Sequence, residues 1–522
     1  MKWVVLGEEN GKIKLVSKND MDTKGILPKG SYLTVEYNET KFILRVDSSS
    51  QHVPYSPSPM VVDMDLSPLK QDQKCQNIIY AYRVKDITTR TDGLIDYILP
   101  QTIARKSSQE EIDLALDCEK EGPNVFLSTI YSGRNQILKD DDNKLIKINL
   151  PEDMFFHQVL ICGKTGSGKT VASKYLAQYF VEHLEGAVLA INVKDVDFLK
   201  MDKPSKTNSS DCFNEWKELD QTSHGIDNFT IYYPANTEIE QFRGLNYNLA
   251  KKVTLDIKKL DPESLVGLLQ GISDSASQSL PSIFRYWKEE IASKNPSIFT
   301  FNDFINYFYN GENDQLEFRT LNNRGVDSRI KLHRGTFDNI LRNLNEALDF
   351  FDNEEALSLD ETDILVRGKM SVINVASRKG TQFGSILLRD LLHRIVEAKS
   401  THKSDVPILI IIDEVHQFYN TASSRQALGD LDVICRTGRS QKIGVLFSSQ
   451  NPSDIPKGLS TVINTKIFFK TDSTSVKTHG IAISNEEMES LKPGFAVSSI
   501  HGLSQVKTIK FPLSLAGVLE EE

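Results

Sequence analysis

The sequence predicts an α/β fold: a core built on a parallel sheet, preceded by a small β-barrel and interrupted by a helical insertion. Three observations carry this. From residue 155 onward, short apolar runs alternate with helical patterns. The first hundred residues instead alternate apolar and polar side chains between turn signals. Between the first core strand and the helix after it stands Gly163-Lys-Thr-Gly-Ser-Gly-Lys-Thr170, a full match to GxxxxGK[ST] in its required strand–loop–helix setting.

The N-terminal region comes first. In WVVLGEENGKIKLV two strand-like stretches flank Glu9-Asn10-Gly11. In SYLTVEYNETKFILRV, Leu33, Val35 and Tyr37 alternate with polar residues, then Phe42, Leu44 and Val46 do the same. Asn38 to Lys41 supplies the turn. Val53 to Pro68, rich in Pro and Ser, reads as a loop, and Ile78 to Val84 as a further strand. Short strands at this spacing favour a small barrel, expected over residues 1–105. Residues 105–120 read as a polar, carboxylate-rich helix. Strand-like pieces at Asn124 to Tyr131 and Leu145 to Leu150 complete a connecting segment over 106–150.

The core is expected over 151–522. Its strands are QVLICG, AVLAINV, MSVINVA, ILIIID, IGVLFSS and TKIFFK, nearly continuous apolar runs of the kind that a sheet covered on both faces requires. From about 235 to 365 the pattern turns helical and is read as an insertion. Leu260-Asp-Pro-Glu-Ser opens one helix there, with Asp261 as N-cap and Pro262 at the first position. Residues from about 490 to 522 form a C-terminal extension.

Composition excludes several classes. With 39% hydrophobic and 25% charged residues, the chain has ample material for packed cores. Its 61 basic and 71 acidic residues give a formal charge of −10, which argues against coating nucleic acid over the whole surface but leaves room for a basic groove. The five cysteines contain no CxxC pair, so zinc and redox motifs find no support. The N-terminus lacks an apolar signal segment, and the longest apolar run, Ile408 to Ile412, is far too short to span a bilayer. A cytoplasmic protein with no membrane partner is expected.

The GxxxxGKT loop points to ATP and Mg2+. Gly163, Gly166 and Gly168 let the backbone curl so that successive N–H groups face phosphate oxygens, with Lys164, Thr165 and Ser167 completing the curl. The helix opening through Val171 aims its positive end at the same place. Lys169 can reach the β- and γ-phosphates, and Thr170 can ligate Mg2+. Ile408-Leu-Ile-Ile-Ile-Asp413-Glu414 supplies the second half. A buried strand delivers two acids at its C-terminal end, where open α/β sheets place their ligands. Asp413 is expected to hold Mg2+ and Glu414 to polarise the attacking water.

These stretches resemble the HerA-type ATPases of the FtsK–HerA superfamily. His157-Gln-Val-Leu-Ile-Cys-Gly-Lys-Thr-Gly-Ser-Gly-Lys-Thr is similar to that family's phosphate loop, and Ile411-Ile-Asp-Glu-Val-His-Gln-Phe to its second motif. The stretch from Arg436-Thr-Gly-Arg through Gln450-Asn-Pro to Ser453-Asp-Ile-Pro456 is similar to the family's next segment. The resemblance implies a RecA-like core, a HAS-barrel-like N-terminal domain and a homohexameric ring with ATP between subunits. It implies an arginine acting across the interface, for which Arg439 matches best and Arg436 next; either residue also suits a surface salt bridge. It implies a polar sensor at Gln450, which could equally cap the strand end. In one place the chain departs from the family. Many members carry an acid at the end of the strand after the loop helix, where this chain has Asn192, followed by Lys194 and Asp195, which either substitute for it in part or simply face solvent.

The function implied is an ATP-driven translocase or helicase on double-stranded DNA, working with a nuclease or other effector partner. The alternative is a hexameric scaffold that assembles and controls an effector enzyme, for example in antiviral defence. Lys200, Lys203, Lys206 and Arg425 lie in polar stretches suited to phosphate contacts or simply to solvent. A small-molecule kinase is disfavoured by the Asp-Glu pair, and an ABC-type ATPase by the absence of an LSGGQ-like signature.

Overall fold

The computed structural model describes residues 3–17, 27–37, 39–52, 76–88, 97–131, 134–194, 197–237, 244–268, 274–312, 315–376, 380–415, 434–455, 457–505 and 507–519. The loop read over Val53 to Pro68, Asp195 and Arg425 lie outside the described residues.

Strands β1 (Trp3–Glu9), β2 (Lys12–Ser17), β3 (Tyr32–Tyr37), β4 (Thr40–His52), β5 (Gln76–Asp86) and β6 (Ile103–Lys106) close into a barrel in the order β1-β2-β5-β4-β3-β6. Glu9 pairs with Lys12 across Asn10-Gly11, whose φ values of 53° and 72° match the hairpin turn that suits strand twist. Alternate residues fill the interior: Trp3 and Val5, Ile13 and Leu15, Leu33 and Val35, Ile79 and Ala81. A helix, Gln109–Leu116, docks on the outside through the apolar side chains of Ile112, Ala115 and Leu116 and one buried acid. Glu111 completes a capping box with Ser108, accepts from Thr34 at 2.8 Å, and takes Arg105 on both oxygens at 2.7 and 2.8 Å. Burial opposes its ionisation, but Arg105, Ser108 and Thr34 outweigh that and hold the carboxyl at about 2.

The remaining strands build one large sheet. They are β7 (Asn124–Tyr131), β8 (Arg134–Ile137), β9 (Lys147–Asn149), β10 (Val159–Cys162), β11 (Ala187–Asn192), β12 (Phe229–Pro234) and β13 (Ala250–Thr254). A separate hairpin of β14 (Glu317–Leu321) and β15 (Asp327–Lys331) comes next in the chain. The sheet continues with β16 (Leu357–Ser358), β17 (Met370–Asn374), β18 (Ile408–Ile412), β19 (Ile443–Ser449), β20 (Thr465–Phe468), β21 (Phe495–Ser499) and β22 (Lys507–Lys510). The order is β16-β13-β12-β17-β11-β18-β19-β10-β20-β21-β22-β7-β8, with β9 also on β7. Pairing is parallel from β16 to β20 and antiparallel beyond.

The six apolar runs read from the sequence are β17, β11, β18, β19, β10 and β20, which lie side by side as one parallel block. Their burial is two-sided. Ile408, Ile410 and Ile412 of β18 face one core cluster, and Leu409 and Ile411 face the other. The segment from 235 to 365 is mixed rather than purely helical. Beside the helices Asp274–Tyr286, Phe301–Asn310 and Arg334–Glu346 it supplies β13 and β16 to the sheet and holds the β14–β15 hairpin. In β13, Lys251 and Lys252 are exposed, so the strand has no continuous apolar run. Asp261 does cap the next turn, its Oδ2 accepting from the Glu263 N–H at 3.1 Å, but that turn, Pro262–Leu268, is a 3-10 helix. No helix among the described residues is long and apolar enough to cross a membrane.

Candidate nucleotide-binding site

Strand β19 lies between β10 and β18, with Cys162 opposite Ser449 and Ile412 opposite Phe447. Three C-terminal strand ends therefore meet at one edge of the sheet. Gly163 leaves β10 there, Asp413 and Glu414 leave β18, and Gln450 leaves β19.

The loop is hung on its neighbours by backbone bonds. The Gly163 N–H donates to the Ser449 carbonyl at 3.1 Å, the Lys164 N–H to the Lys470 carbonyl at 2.8 Å, and the Gly494 N–H to the Ser167 carbonyl at 3.0 Å. A Cβ at Gly163 would stand 2.3 Å from Ser167 Oγ and 2.8 Å from Phe469 Cβ. Gly168 has φ 104° and no space for a side chain, since its Cβ would lie 2.8 Å from the Gly494 nitrogen. The helix Lys169–Glu182 starts directly afterwards. Lys164, Thr165 and Gly166 are exposed, and Thr170 and Val171 are half-buried on the first helical turn. Ser167 is buried, with an Oγ that has no hydrogen-bond partner among the described residues.

Charge concentrates behind this loop. Lys169 is buried, with Nζ 3.3 Å from Glu414 Oε1 and 3.9 Å from Asp413 Oδ1. Asp413 Oδ1 accepts from Ser448 Oγ at 2.6 Å, while Oδ2 is buried without a hydrogen-bond partner among the described residues. Glu414 is held at φ 46°, a left-handed conformation that costs a side-chain-bearing residue roughly 1–2 kcal/mol. Its Oε1 accepts from Gln450 Nε2 at 3.2 Å and forms an ion pair with Lys194. Burial opposes ionisation of Glu414, but Lys194, Lys169 and Gln450 together keep its carboxyl below the ordinary range. Lys194 responds in kind: burial opposes its charge, and Glu414 more than compensates. The Thr170 hydroxyl and the unpartnered Asp413 oxygen are hard donors of the type that Mg2+ takes, so the residues present fit that ion.

Arg439 is not at this edge. It is exposed, and its Nη2 lies 3.4 Å from Asp153 Oδ2, which also bonds His157 Nε2 at 3.0 Å. His157 precedes β10 and stacks on His501, so Arg439 stands at the N-terminal edge of the sheet, opposite its own phosphate loop. Arg436 is exposed, in the helical turn just before Gly438. Of the lysines considered for phosphate contacts, Lys203 gives its ammonium to the Gly244 carbonyl, Lys200 is half-buried, and Lys206 is exposed.

A model of the family described as "Helicase HerA, central domain" matches residues 135–402, more than half of the chain. The chain belongs to the HerA family. A second model, "Helicase HerA-like C-terminal", matches residues 351–472. A curated relative from Sulfurisphaera tokodaii, named DNA double-strand break repair helicase HerA, is 26% identical over 37% of this chain and 40% of its own length. One of the same name from Saccharolobus solfataricus is 21% identical over 90% of this chain and 84% of its own. Among solved structures, the bacterial conjugative coupling protein TrwBdeltaN70 is similar at 13% identity and TM-score 0.48, covering 80% of this chain and 95% of that one. VirB4 of Thermoanaerobacter pseudethanolicus is similar at 12% identity and TM-score 0.46, covering 75% and 96%.

In this HerA-family chain the strand-end Asn192 is structural. It is buried, donates to Asn374 Oδ1 at 3.0 Å and to the Lys194 carbonyl at 2.8 Å, and accepts from the Phe198 N–H at 3.0 Å. Lys194 is the residue of that strand end which enters the site. The Ser448 contact to Asp413 also escapes a reading of the sequence. Its signal is the polar run Ser448-Ser449-Gln450 closing an apolar strand, of which only Gln450 stands out.

Proposed function

We propose that this chain is an ATP-hydrolysing ring motor that translocates along or unwinds double-stranded DNA, acting with a partner nuclease or other effector. The observation that carries the reading is the convergence of Lys169, Asp413, Glu414 and Gln450 at one sheet edge while Arg439 stands exposed at the other. A subunit with complementary half-sites on opposite faces suits head-to-tail closure into a ring, here a homohexamer. The helicase name carried by the matched relatives supports duplex DNA as the track.

Within this reading Lys169 binds the β- and γ-phosphates, and the N–H groups from Gly163 to Val171 cradle them. Thr170 and Asp413 hold Mg2+, which when bound neutralises phosphate charge. Glu414 accepts a proton from the attacking water as the water oxygen bonds to the γ-phosphorus. The bond to the β–γ bridging oxygen breaks, and ADP departs with that oxygen's electron pair. Gln450 orients the water, and Arg439 of the adjacent copy stabilises charge on the transferring group. Contacts to DNA are to phosphates, so affinity falls with salt. The test is ATP turnover by the assembled oligomer with and without linear duplex DNA. A clear rise with duplex is expected, and a rate indifferent to it overturns the motor.

A further inference from the structure

Lys194 has no part in the phosphate-loop chemistry described above, yet it touches the residue on which that chemistry turns. Its backbone is pinned, because buried Asn192 holds the Lys194 carbonyl at 2.8 Å and, through its other side-chain atom, the Phe198 N–H at 3.0 Å. From this fixed base the side chain crosses to Glu414 Oε1. The same oxygen takes Lys169 at 3.3 Å and Gln450 at 3.2 Å. Three donors among the described residues thus converge on one carboxylate oxygen. When ATP binds, the γ-phosphate claims Lys169 and Gln450, which leaves Lys194, of these three, facing Glu414. The Lys194 side chain is 38% exposed, so it has room to swing away, whereas Glu414 is fully buried.

We propose that Lys194 is a positioning residue that restrains Glu414, occupying the oxygen that must meet water until its ammonium is drawn off. The proposal rests on the assignment of Glu414 as the proton acceptor. It makes the resting turnover of this chain a property of one lysine–carboxylate contact rather than of the phosphate loop alone. Ion pairing of this kind competes directly with water for the same lone pairs.

The test compares Lys194→Met and Lys194→Arg in full-length protein, alone and combined with Glu414→Gln, by kcat and KM for ATP without DNA. Lys194→Met is expected to raise kcat about tenfold, the lower end of the scale of one charge-assisted contact, with KM little changed. Lys194→Arg retains the restraint, and the Met substitution adds nothing to Glu414→Gln. Should Lys194→Met fold poorly, Lys194→Gln carries the same expectation. A fall in kcat, a change confined to KM, or no change at all overturns the proposal. If Glu414→Gln by itself turns over ATP at the parental rate, the assignment of Glu414 fails instead, a result distinct from an inert Lys194→Met.

Discussion

Arg439 offers the most demanding test of the ring. The contact between Arg439 and Asp153 lies beside His157, and Gly163 begins the loop at the far end of β10. Strand β10 alone, four residues at about 3.3 Å each, separates those points by about 13 Å. One side chain cannot cover that distance within a subunit, so in the proposed ring the phosphate that Arg439 meets is a neighbour's. Arg439→Ala should then lower turnover about a thousandfold, as loss of such an arginine does. Glu414→Gln should lower it about a hundredfold or more. In rings assembled from equal amounts of the two variants, an intact site arises wherever an Arg439→Ala copy supplies Glu414 and the adjacent Glu414→Gln copy supplies Arg439. Random mixing makes about one site in four intact, so activity should return to about a quarter of the parental rate. Phosphate release measured on mixtures whose co-assembly is verified by native mass spectrometry reads this directly. Mixed rings that stay as inactive as either variant alone refute the trans role of Arg439.

The remaining predictions concern single side chains. Lys169→Ala removes a buried cation from beside Asp413 and Glu414 and should weaken nucleotide binding by about ten- to a hundredfold in a fluorescent-nucleotide titration. Ser448→Ala deletes the 2.6 Å bond that orients Asp413, so the Mg2+ concentration for half-maximal turnover should rise about tenfold while binding of metal-free nucleotide holds. Glu111 contributes stability above its ordinary value of 4.5, because its folded value is held down at about 2, and that contribution drains away as pH falls through this window. Glu111→Gln should therefore lower the melting temperature at pH 7, with the gap to the parent closing toward pH 2 in a scanning calorimeter.

The parts of the site that the sequence discloses are those encoded by contiguous residues. Gly163 to Thr170 declares itself because a backbone wrapped around phosphate demands glycine at set intervals, and Ile408 to Glu414 because a buried strand ending in two acids leaves the apolar pattern abruptly. The six core runs are legible for the same reason: two-sided burial writes an unbroken apolar word. β13 is edgeward and exposes two lysines, so it writes none, and β12, an aromatic run closing on Pro234, is easily passed over between clearer neighbours. The Lys194–Glu414 pair depends on β11 lying next to β18, an adjacency of strands far apart in the chain that no local pattern records. Closure of the barrel is of the same kind, since β1 meets β6 through Trp3 and Ala104.

The phosphate loop is complete in sequence by residue 170, but its backbone is suspended from Lys470 and Gly494. A nascent chain that has left the ribosome only as far as β20 carries every motif residue and still lacks the amide that the Ser167 carbonyl requires. The shape of the loop is thereby tied to the hairpin β21–β22, which joins β20 to β7, so loosening that hairpin loosens the phosphate cradle from a distance.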